Sequence, residues 1–163
     1  MWLGIDVGTG GTRALLVDER GKIRAGHMAA HEDMRMERPL WAEQRPQDWW
    51  DAALQAIRGV LAQAQVSGRD VRGIGLSGQM HGLVILDKDD QVIRPSLIWC
   101  DQRSQAQVDY INRIVGGAKV LNYTANPVLT GFTLPQAAMG ARQRARKLRA
   151  RAKNAVAERL CAL

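Results

Sequence analysis

The chain has 163 residues, of which 46% are hydrophobic and 24% are charged, as in an ordinary globular domain with its own core. The two cysteines fit no metal-ligand or disulfide spacing, so we expect reduced thiols and a cytoplasmic protein. No apolar run approaches the length of a membrane span, and the early Asp6 argues against a secretory signal. We therefore expect neither a membrane partner nor a disulfide-rich secreted domain.

The formal net charge of +7 lies in the last part of the chain. Residues 1–135 hold 15 basic and 15 acidic side chains, whereas residues 136–163 hold eight basic side chains and the single acid Glu158. This change predicts a boundary at 135, followed by a basic Ala/Arg-rich tail. Nucleic-acid binding through such a tail would weaken steeply with salt, but the tail has no aromatic residue for base stacking. We therefore expect no nucleic-acid partner.

The chain begins with segments that are rich in β-forming side chains. Residues 2–7 and 12–18 are separated by a Gly-Thr-Gly-Gly turn, which predicts a β-hairpin. A second turn at 19–22 precedes a predicted third strand at 23–30. We therefore expect an antiparallel meander.

A long amphipathic helix is predicted next. Pro46 marks its start, and the helical spacing of apolar residues extends it over 47–64. The apolar stripe consists of Trp50, Ala53, Leu54, Ile57, Val60 and Leu61. We interpret the nearby tryptophans Trp41, Trp49 and Trp50 as packing residues.

The rest of the chain alternates strands with a helix, which indicates a mixed α/β domain. The predicted elements are strands at 71–76, 83–87 and 96–99, a turn at 88–90, and a helix at 104–115 that ends at Gly116-Gly117. Residues 141–163 have helical propensity but few large apolar side chains, so we expect a frayed, solvated segment there.

The stretch DVGTGGTR at 6–13 places a carboxylate at the end of a strand, beside a Gly/Thr turn. Backbone N–H groups and hydroxyls in such a turn are the donors that phosphate needs, and Mg²⁺ needs an oxygen anion such as that of Asp6. The alternative is a simple hairpin whose glycines only satisfy a positive φ. The chain does not contain the P-loop pattern.

The stretch GIGLSG at 73–78 matches the dinucleotide-binding pattern, but a strand rather than a helix is predicted after it. We interpret it as a strand that ends in a polar loop, SGQMHG at 77–82, whose side chains face a cleft. His81 in this glycine-framed loop is either a hydrogen-bonded structural residue or a ligand contact. Met80 by itself would be assigned to the core.

Five stretches together resemble the FGGY family of carbohydrate kinases, and among its members the xylulokinases. They are GIDVGTGGTR at 4–13, LWAEQRPQDWW at 40–50, GIGLSGQMHG at 73–82, RPSLIWCDQRS at 94–104 and TGFTLP at 130–135. They follow the family's order and approximate spacing over the first 135 residues, and SGQMHG favours xylulokinases over glycerol or gluconate kinases. Cys100 departs from the family, where a polar residue such as Asn is expected.

The resemblance implies an α/β fold, the incomplete N-terminal part of an actin-like, ribonuclease-H-like sugar kinase domain. It implies ATP and Mg²⁺ as cofactors and the conversion of D-xylulose, or a related ketose, to the 5-phosphate. By this match Asp6 would serve Mg²⁺ and phosphate, and Asp101 with Arg103 would form a structural charge pair. The residues around the phosphoryl group would be Thr9, Gly10, Thr12 and Arg13, and those contacting the sugar would be Gln79, Met80 and His81.

The family's general base and adenosine pocket have no counterpart in residues 1–135. The resemblance therefore implies a chain that is inactive alone and that a downstream kinase fragment would complement. A non-catalytic sugar-binding module is the alternative.

The tail after residue 135 does not resemble the family. Met139-Gly140 must be encoded by ATG-GGN, and reading the gene one nucleotide later turns these codons into TGG, which encodes tryptophan. In the same shifted frame, a suitable choice of codons gives the KLLW and LLPKDY stretches of the family. We therefore interpret residues 136–163 as out-of-frame translation.

Overall fold

The computed structural model describes residues 1–144, which fall into two units, Met1–Trp99 and the part from Cys100 onwards. The first unit contains a four-stranded sheet, a two-stranded sheet and one long helix. Its elements in chain order are β1 (Trp2–Val7), β2 (Gly11–Val17), β3 (Ile23–Ala30), β4 (Glu43–Gln44), α1 (Pro46–Ala64), a short 3-10 helix (Gly68–Asp70), β5 (Gly73–Gly78) and β6 (Ser96–Leu97).

The predicted antiparallel meander is confirmed: β1 pairs with β2, and β2 pairs with β3. The turn between β2 and β3 is held by Asp18, whose Oδ1 accepts the backbone N–H groups of Arg20 at 2.9 Å and Lys22 at 3.0 Å. Gly21 completes this turn with a φ of 78°, in the left-handed region that glycine adopts without strain. The boundaries of all three strands lie within a residue of those predicted.

The fourth strand of the main sheet, β5, pairs in parallel with β1, so the strand order is β3-β2-β1-β5. The sequence predicts a strand here, but two residues earlier, and does not indicate its partner. All the glycines of the G-x-G-x-x-G pattern lie within β5, and no helix follows directly. This confirms that the pattern is not a dinucleotide-binding turn.

Helix α1 covers one face of the main sheet and occupies the predicted range. Pro46 is its first residue, and Asp48 in the first turn pairs with Arg45 at 3.2 Å. The predicted apolar stripe is only partly right, because Trp50 is 61% exposed and the helix packs with smaller side chains. The buried residues of α1 are Ala52, Ala56 and Val60, and those of the sheet beneath are Leu3, Ile5, Ala14, Leu16, Ala25 and Ala29.

The second sheet of the first unit pairs β4 with β6 in antiparallel register. Ile98 extends this pairing by donating its backbone N–H to the carbonyl of Ala42 at 3.2 Å, and Arg94 forms an ion pair with Glu43. Ser96, Leu97 and Ile98 of the predicted strand at 96–99 are buried, whereas Trp99 is exposed. The small sheet thus holds the segment before α1 against residues 96–98.

The predicted strand at 83–87 is wrong. Leu83 and Leu86 each form only an isolated bridge, to Leu97 and Val92. The chain reverses at the predicted turn, where Asp87 accepts the backbone N–H groups of Asp89 and Gln91, each at 2.9 Å. Within the described residues this loose hairpin meets another strand, β6, only at Leu83, so most of its apolar side chains remain largely exposed.

The second unit is helical in its described part. It contains α2 (Gln105–Ile114), α3 (Gly117–Thr124) and a helical segment over 133–144. The predicted helix at 104–115 and its end at the glycine pair are confirmed, but the sequence analysis misses α3, which begins at once after Gly116. Its small core consists of Val108, Ile111, Val120 and Val128.

The helical segment over 133–144 runs through the predicted boundary at 135, with Gln136 and Met139 buried. The frayed helix predicted at 141–163 lies, from residue 145 onwards, outside the described residues. Of the helices within residues 1–144, none is long and apolar enough to cross a membrane.

The β2–β3 turn predicts a pH dependence of stability. The backbone hydrogen bond from Lys22, helped by that of Arg20 and by the charge of Arg24, holds the pKa of Asp18 below its ordinary value against some desolvation. A carboxyl whose pKa folding lowers stabilises the native state above its unfolded pKa and loses that contribution as the pH falls through the folded value.

We therefore expect Asp18→Asn to melt at a lower temperature than the unsubstituted chain at neutral pH. The difference should shrink as the pH falls below about 4, near the ordinary pKa of an aspartate. Circular dichroism melts of both chains across this pH range measure the effect. A difference in melting temperature that is the same at all pH values would contradict it.

Candidate functional site

The carboxyl ends of β1 and β5 lie side by side at one edge of the main sheet. The parallel register pairs Val7 with Gly78, so the β1–β2 turn (residues 8–10) and the 79–82 loop leave the sheet next to each other. The backbone N–H of Gln79 donates to the carbonyl of Val7 at 2.8 Å. A Cβ at Gly78 would lie 2.8 Å from that same carbonyl oxygen, so this close approach requires glycine. Sequence motifs 70 residues apart therefore share one edge.

A charged strip lies on the face of the sheet opposite α1. Asp6 is in register with Arg13 on β2 and with Ser77 on β5, and residues in register share a face. All three side chains are exposed. Neither Asp6 nor Arg13 forms an ion pair with another residue of the described part, 1–144. The strip therefore offers a carboxylate, a guanidinium and a hydroxyl to a ligand.

Thr9 in the β1–β2 turn is the centre of a hydrogen-bond network. Its hydroxyl donates to Gln79 Oε1 at 3.3 Å and accepts the indole N–H of Trp99 at 3.0 Å. Its carbonyl accepts from Gln44 Nε2 at 2.7 Å and lies 3.3 Å from His31 Nδ1. The predicted phosphate-side residue Thr9 and the predicted sugar-side residue Gln79 are thus in direct contact.

The network continues beneath the turn through His31. A carbonyl can only accept, so the Nδ1 of His31 carries the proton that faces Thr9, and in the neutral ring Nε2 accepts from the hydroxyl of Thr12, 2.9 Å away. Thr12 is fully buried, on the opposite face of β2 from Arg13. The structure therefore separates Thr12 from the exposed strip, and its hydroxyl is engaged inside the fold.

Gln44 joins the network from β4. Its Oε1 accepts the indole N–H of Trp49 at 3.1 Å and the side-chain amide of Gln79 at 3.0 Å. Trp49, interpreted from the sequence as a packing residue, thus also has a polar function. Sequence reasoning missed Gln44, His31 and Trp99, because a single glutamine, histidine or tryptophan in these stretches carries no signal of which loop it will reach.

The 79–82 loop presents the other two predicted sugar contacts. Met80 is 71% exposed, so the assignment to the core that its residue type suggests is wrong. His81 is half-buried and has a φ of 68°, in the left-handed region that side chains with a Cβ adopt at a cost. Backbone strain of this kind is concentrated at ligand-binding sites.

The second unit contains the predicted charge pair. Asp101 is fully buried, and its Oδ2 accepts from Nε of Arg103 at 2.7 Å and lies 2.7 Å from Nη2 of the same guanidinium in an ion pair. The pair is therefore structural, as predicted. Burial raises the pKa of the adjacent Cys100 thiol, and the charge of Asp101 raises it further against an opposing backbone hydrogen bond. The thiol is therefore protonated at neutral pH.

The residues of the strip fit a nucleotide-bound magnesium ion better than a site built by protein alone. Within the described residues no three His, Cys, Asp or Glu side chains come together to hold a metal. Mg²⁺, however, is commonly bound by one or two carboxylates together with substrate phosphates. Asp6 supplies one carboxylate, and a Cβ at the exposed Gly10 would meet no atom within 4 Å, which leaves room for a phosphate beside the turn.

Comparisons with known proteins place this chain in a family. A model described as the N-terminal domain of the FGGY family of carbohydrate kinases matches residues 1–152. The chain is 38% identical over 138 residues to a xylulose kinase of Klebsiella pneumoniae, which covers 83% of this chain and 27% of that protein. It is 37% identical over 134 residues to a xylulose kinase of Bacillus subtilis, which covers 82% of this chain and 26% of that protein. The chain thus spans about a quarter of the length of these relatives.

Solved structures show the same fold. A xyloylose kinase from Brucella ovis superimposes with a TM-score of 0.81 at 36% identity, over 88% of this chain and 30% of that one. Plasmodium falciparum glycerol kinase with ADP superimposes with a TM-score of 0.73 at 20% identity, over 82% of this chain and 27% of that one, which supports the fold alone. The fold is therefore that of a mixed α/β, actin-like N-terminal kinase domain portion. The chain belongs to the FGGY family of carbohydrate kinases, enzymes that use ATP.

The strained backbone at His81 gives a stability prediction. Replacement by Gly or Asn should preserve the left-handed conformation, whereas His81→Val should force a β-branched residue into it. We expect the Val variant to have a free energy of unfolding lower than that of the Gly variant by about 1–2 kcal/mol. All three variants remove the imidazole, so its contacts cancel in the comparison. Urea denaturation measures the difference, and equal stabilities of Gly and Val variants would disprove the strain.

Proposed function

We propose that this chain forms the phosphate turn and the sugar loop of a D-xylulose kinase. In the proposed reaction the C5 hydroxyl oxygen bonds to the γ-phosphorus of ATP, the bond to the β-phosphate oxygen breaks, and a base takes the hydroxyl proton. The single observation that carries the proposal is the adjacency of the β1–β2 turn and the 79–82 loop, through the contacts of Thr9 and Val7 with Gln79. The name of the sugar comes from the relatives, which are xylulose kinases.

On the phosphate side, the exposed strip has the chemistry that a nucleotide requires. The guanidinium of Arg13 would donate to phosphate oxygens, and backbone N–H groups around Gly10 would add donors. Asp6 would bind the magnesium ion, directly or through water. Bound MgATP would supply the phosphoryl group and neutralise its charge. Thr9 and Thr12 would act from inside the fold, by holding the turn in place.

On the sugar side, His81 and Met80 would contact the ketose. A neutral imidazole both donates and accepts, which suits a sugar hydroxyl, and the exposed Met80 side chain would cover an apolar C–H face. The amide of Gln79 is engaged with Gln44 and Thr9 in the ligand-free chain. Its proposed contribution is therefore chiefly to orient the loop.

We further propose that residues 1–163 bind D-xylulose without phosphorylating it. In the family the general base follows these stretches, and a downstream kinase fragment would supply it. The alternative, a non-catalytic sugar-binding module, is favoured by one observation. The side chain of Gln79 in the 79–82 loop is held by Gln44 and Thr9, which both belong to the first unit, so binding need not depend on further chain. Residues 136–163 remain proposed as out-of-frame translation, which resequencing codons 130–140 would test.

The experiment is a titration of the purified chain with D-xylulose by isothermal calorimetry, together with an assay of ADP release in the presence of MgATP. We expect saturable binding of D-xylulose, weaker binding of glycerol, and no ADP release above the protein-free control. His81→Ala and Met80→Ala should each weaken sugar binding roughly tenfold or more, the loss expected for a contact to a ligand. Met36→Ala is the matched control, because Met36 is also exposed, at 61%, and is not part of the loop.

For the nucleotide side, Arg13→Gln should weaken binding of MgADP, and Arg24→Gln serves as its control. Arg24 is an exposed arginine of the neighbouring strand β3 whose partner is Asp18.

Adding the downstream part of a xylulose kinase should restore ADP release if the chain is a kinase portion, and should not if it is a binding module. Absence of any sugar binding would disprove the sugar loop, and turnover by the chain alone would disprove its inactivity.

A further inference from the structure

Gln44 is a buried side chain that contacts both loops of the candidate site. It is 5% exposed and lies in β4, paired with Ser96 and two positions before the start of α1. Its backbone is therefore held by a sheet on one side and a helix on the other. From this fixed point its amide reaches the carbonyl of Thr9 in the β1–β2 turn and the side chain of Gln79 in the 79–82 loop.

The chemistry of these partners determines the orientation of the amide. The indole N–H of Trp49 can only donate, so it must face Oε1, and the carbonyl of Thr9 can only accept, so it must face Nε2. Oε1 accepts a second hydrogen bond from Gln79. A side chain here must therefore donate on one side and accept twice on the other, which Glu, Met or Leu of similar size cannot do.

Two side-chain links join the loops, and the link through Gln44 has the shorter hydrogen bonds. Its hydrogen bonds measure 2.7 Å to Thr9 and 3.0 Å from Gln79, whereas the direct bond from the Thr9 hydroxyl to Gln79 measures 3.3 Å. The Thr9 hydroxyl is also shared with Trp99. The parallel pairing of β1 with β5 brings the two loops side by side, and the amide of Gln44 provides the strongest side-chain link between them.

We infer that Gln44 is a positioning residue that sets the β1–β2 turn and the 79–82 loop at the distance that phosphoryl transfer requires. This inference rests on the proposed function for the roles of the two loops, but the contacts themselves are properties of the ligand-free chain. It also implies that a sugar at the 79–82 loop is sensed at the turn, through Gln79, Gln44 and Thr9.

The test uses the indole N–H signals in NMR spectra of the full chain labelled with ¹⁵N. Two of the five tryptophans, Trp49 and Trp99, donate to the network, whereas Trp2 and Trp50 are exposed elsewhere and serve as internal references. The variants are Gln44→Met, which keeps the size but removes every hydrogen bond, and Gln44→Glu, which keeps only acceptors. The control is Gln47→Ala, which removes an exposed glutamine that contacts Asp51.

In Gln44→Met we expect shifted indole signals of Trp49 and Trp99, with Trp2 and Trp50 unchanged, and roughly tenfold faster hydrogen exchange at the Gln79 backbone N–H. In Gln44→Glu the contacts from Trp49 and Gln79 persist, but the donor to the Thr9 carbonyl is lost. We therefore expect its Trp49 signal to stay close to that of the unsubstituted chain, while the signals of Trp99 and the His31 ring move.

A general loss of packing would move all the tryptophan signals together, and this outcome would overturn the inference, as would unchanged Trp99 and His31 signals in Gln44→Glu. If Gln44→Met fails to fold, the Glu variant still decides between these outcomes.

Adding D-xylulose then tests whether sugar at the 79–82 loop is sensed at the β1–β2 turn. Sugar should shift the Trp99 signal in the unsubstituted chain and shift it less in Gln44→Glu, while the shift of the His81 ring signals persists. An equal Trp99 shift in both would overturn the coupling.

Failure of the proposed function gives a different result. If D-xylulose moves no signal in the unsubstituted chain, the sugar assignment is wrong and the positioning role for that sugar falls with it. The ligand-free comparison still shows whether Gln44 holds the two loops together.

Discussion

The parallel pairing of β1 with β5 is the constraint on which the rest of the site depends. Hairpin strands run in opposite directions and send their loops to opposite edges, whereas parallel strands end at the same edge. The chain passes through β2, β3, β4 and α1 before β5 returns beside β1, and α1 covers the sheet along this path. This crossover brings Thr9 and Gln79 into contact although 70 residues separate them.

The polar network at this edge is costly to disturb. Removing one partner from a buried hydrogen bond leaves the other unsatisfied, and that penalty exceeds the net gain from the bond itself. Thr9 is the acceptor or donor for four side chains, and Gln44 is bonded to Thr9, Gln79 and Trp49. Such interlocked bonds polarise and reinforce one another. The turn and the loop are therefore positioned before any ligand arrives, so less ordering remains to be done on binding.

The two faces of the main sheet have different functions. The face under α1 contains small apolar residues of β2 and β3, such as Ala14 and Ala29, which let the helix approach closely. The other face contains Asp6 and Arg13, which alternate with core residues along the same strands. The period of two along a strand therefore places buried Thr12 beside exposed Arg13. One strand thus contributes to the core, to the support of the turn and to the charged strip.

Local sequence signals predicted the elements whose formation depends on neighbours in the chain. The Gly/Thr turn and the Asp18 turn marked the hairpins, and Pro46 marked the start of α1. These local signals gave wrong predictions where a structure depends on contacts with residues far away in the chain. The apolar run at 83–87 meets strand β6 only at Leu83 and forms no continuous ladder with it, and Trp50 lies outside the face of α1 that meets the sheet.

The sequence by itself determined the meander, the long helix, the charge pair of Asp101 and Arg103, and the resemblance to the carbohydrate kinases. These features follow from turn residues, from the spacing of apolar residues and from motifs whose residues lie close together in the chain. The tertiary structure alone decided that β5 lies parallel to β1, that Thr12 is buried, and that Gln44 joins the two loops. A strand does not carry the identity of its partner in its own residues, because pairing is chosen by the packing of the whole sheet. The contacts of a single glutamine depend on that choice.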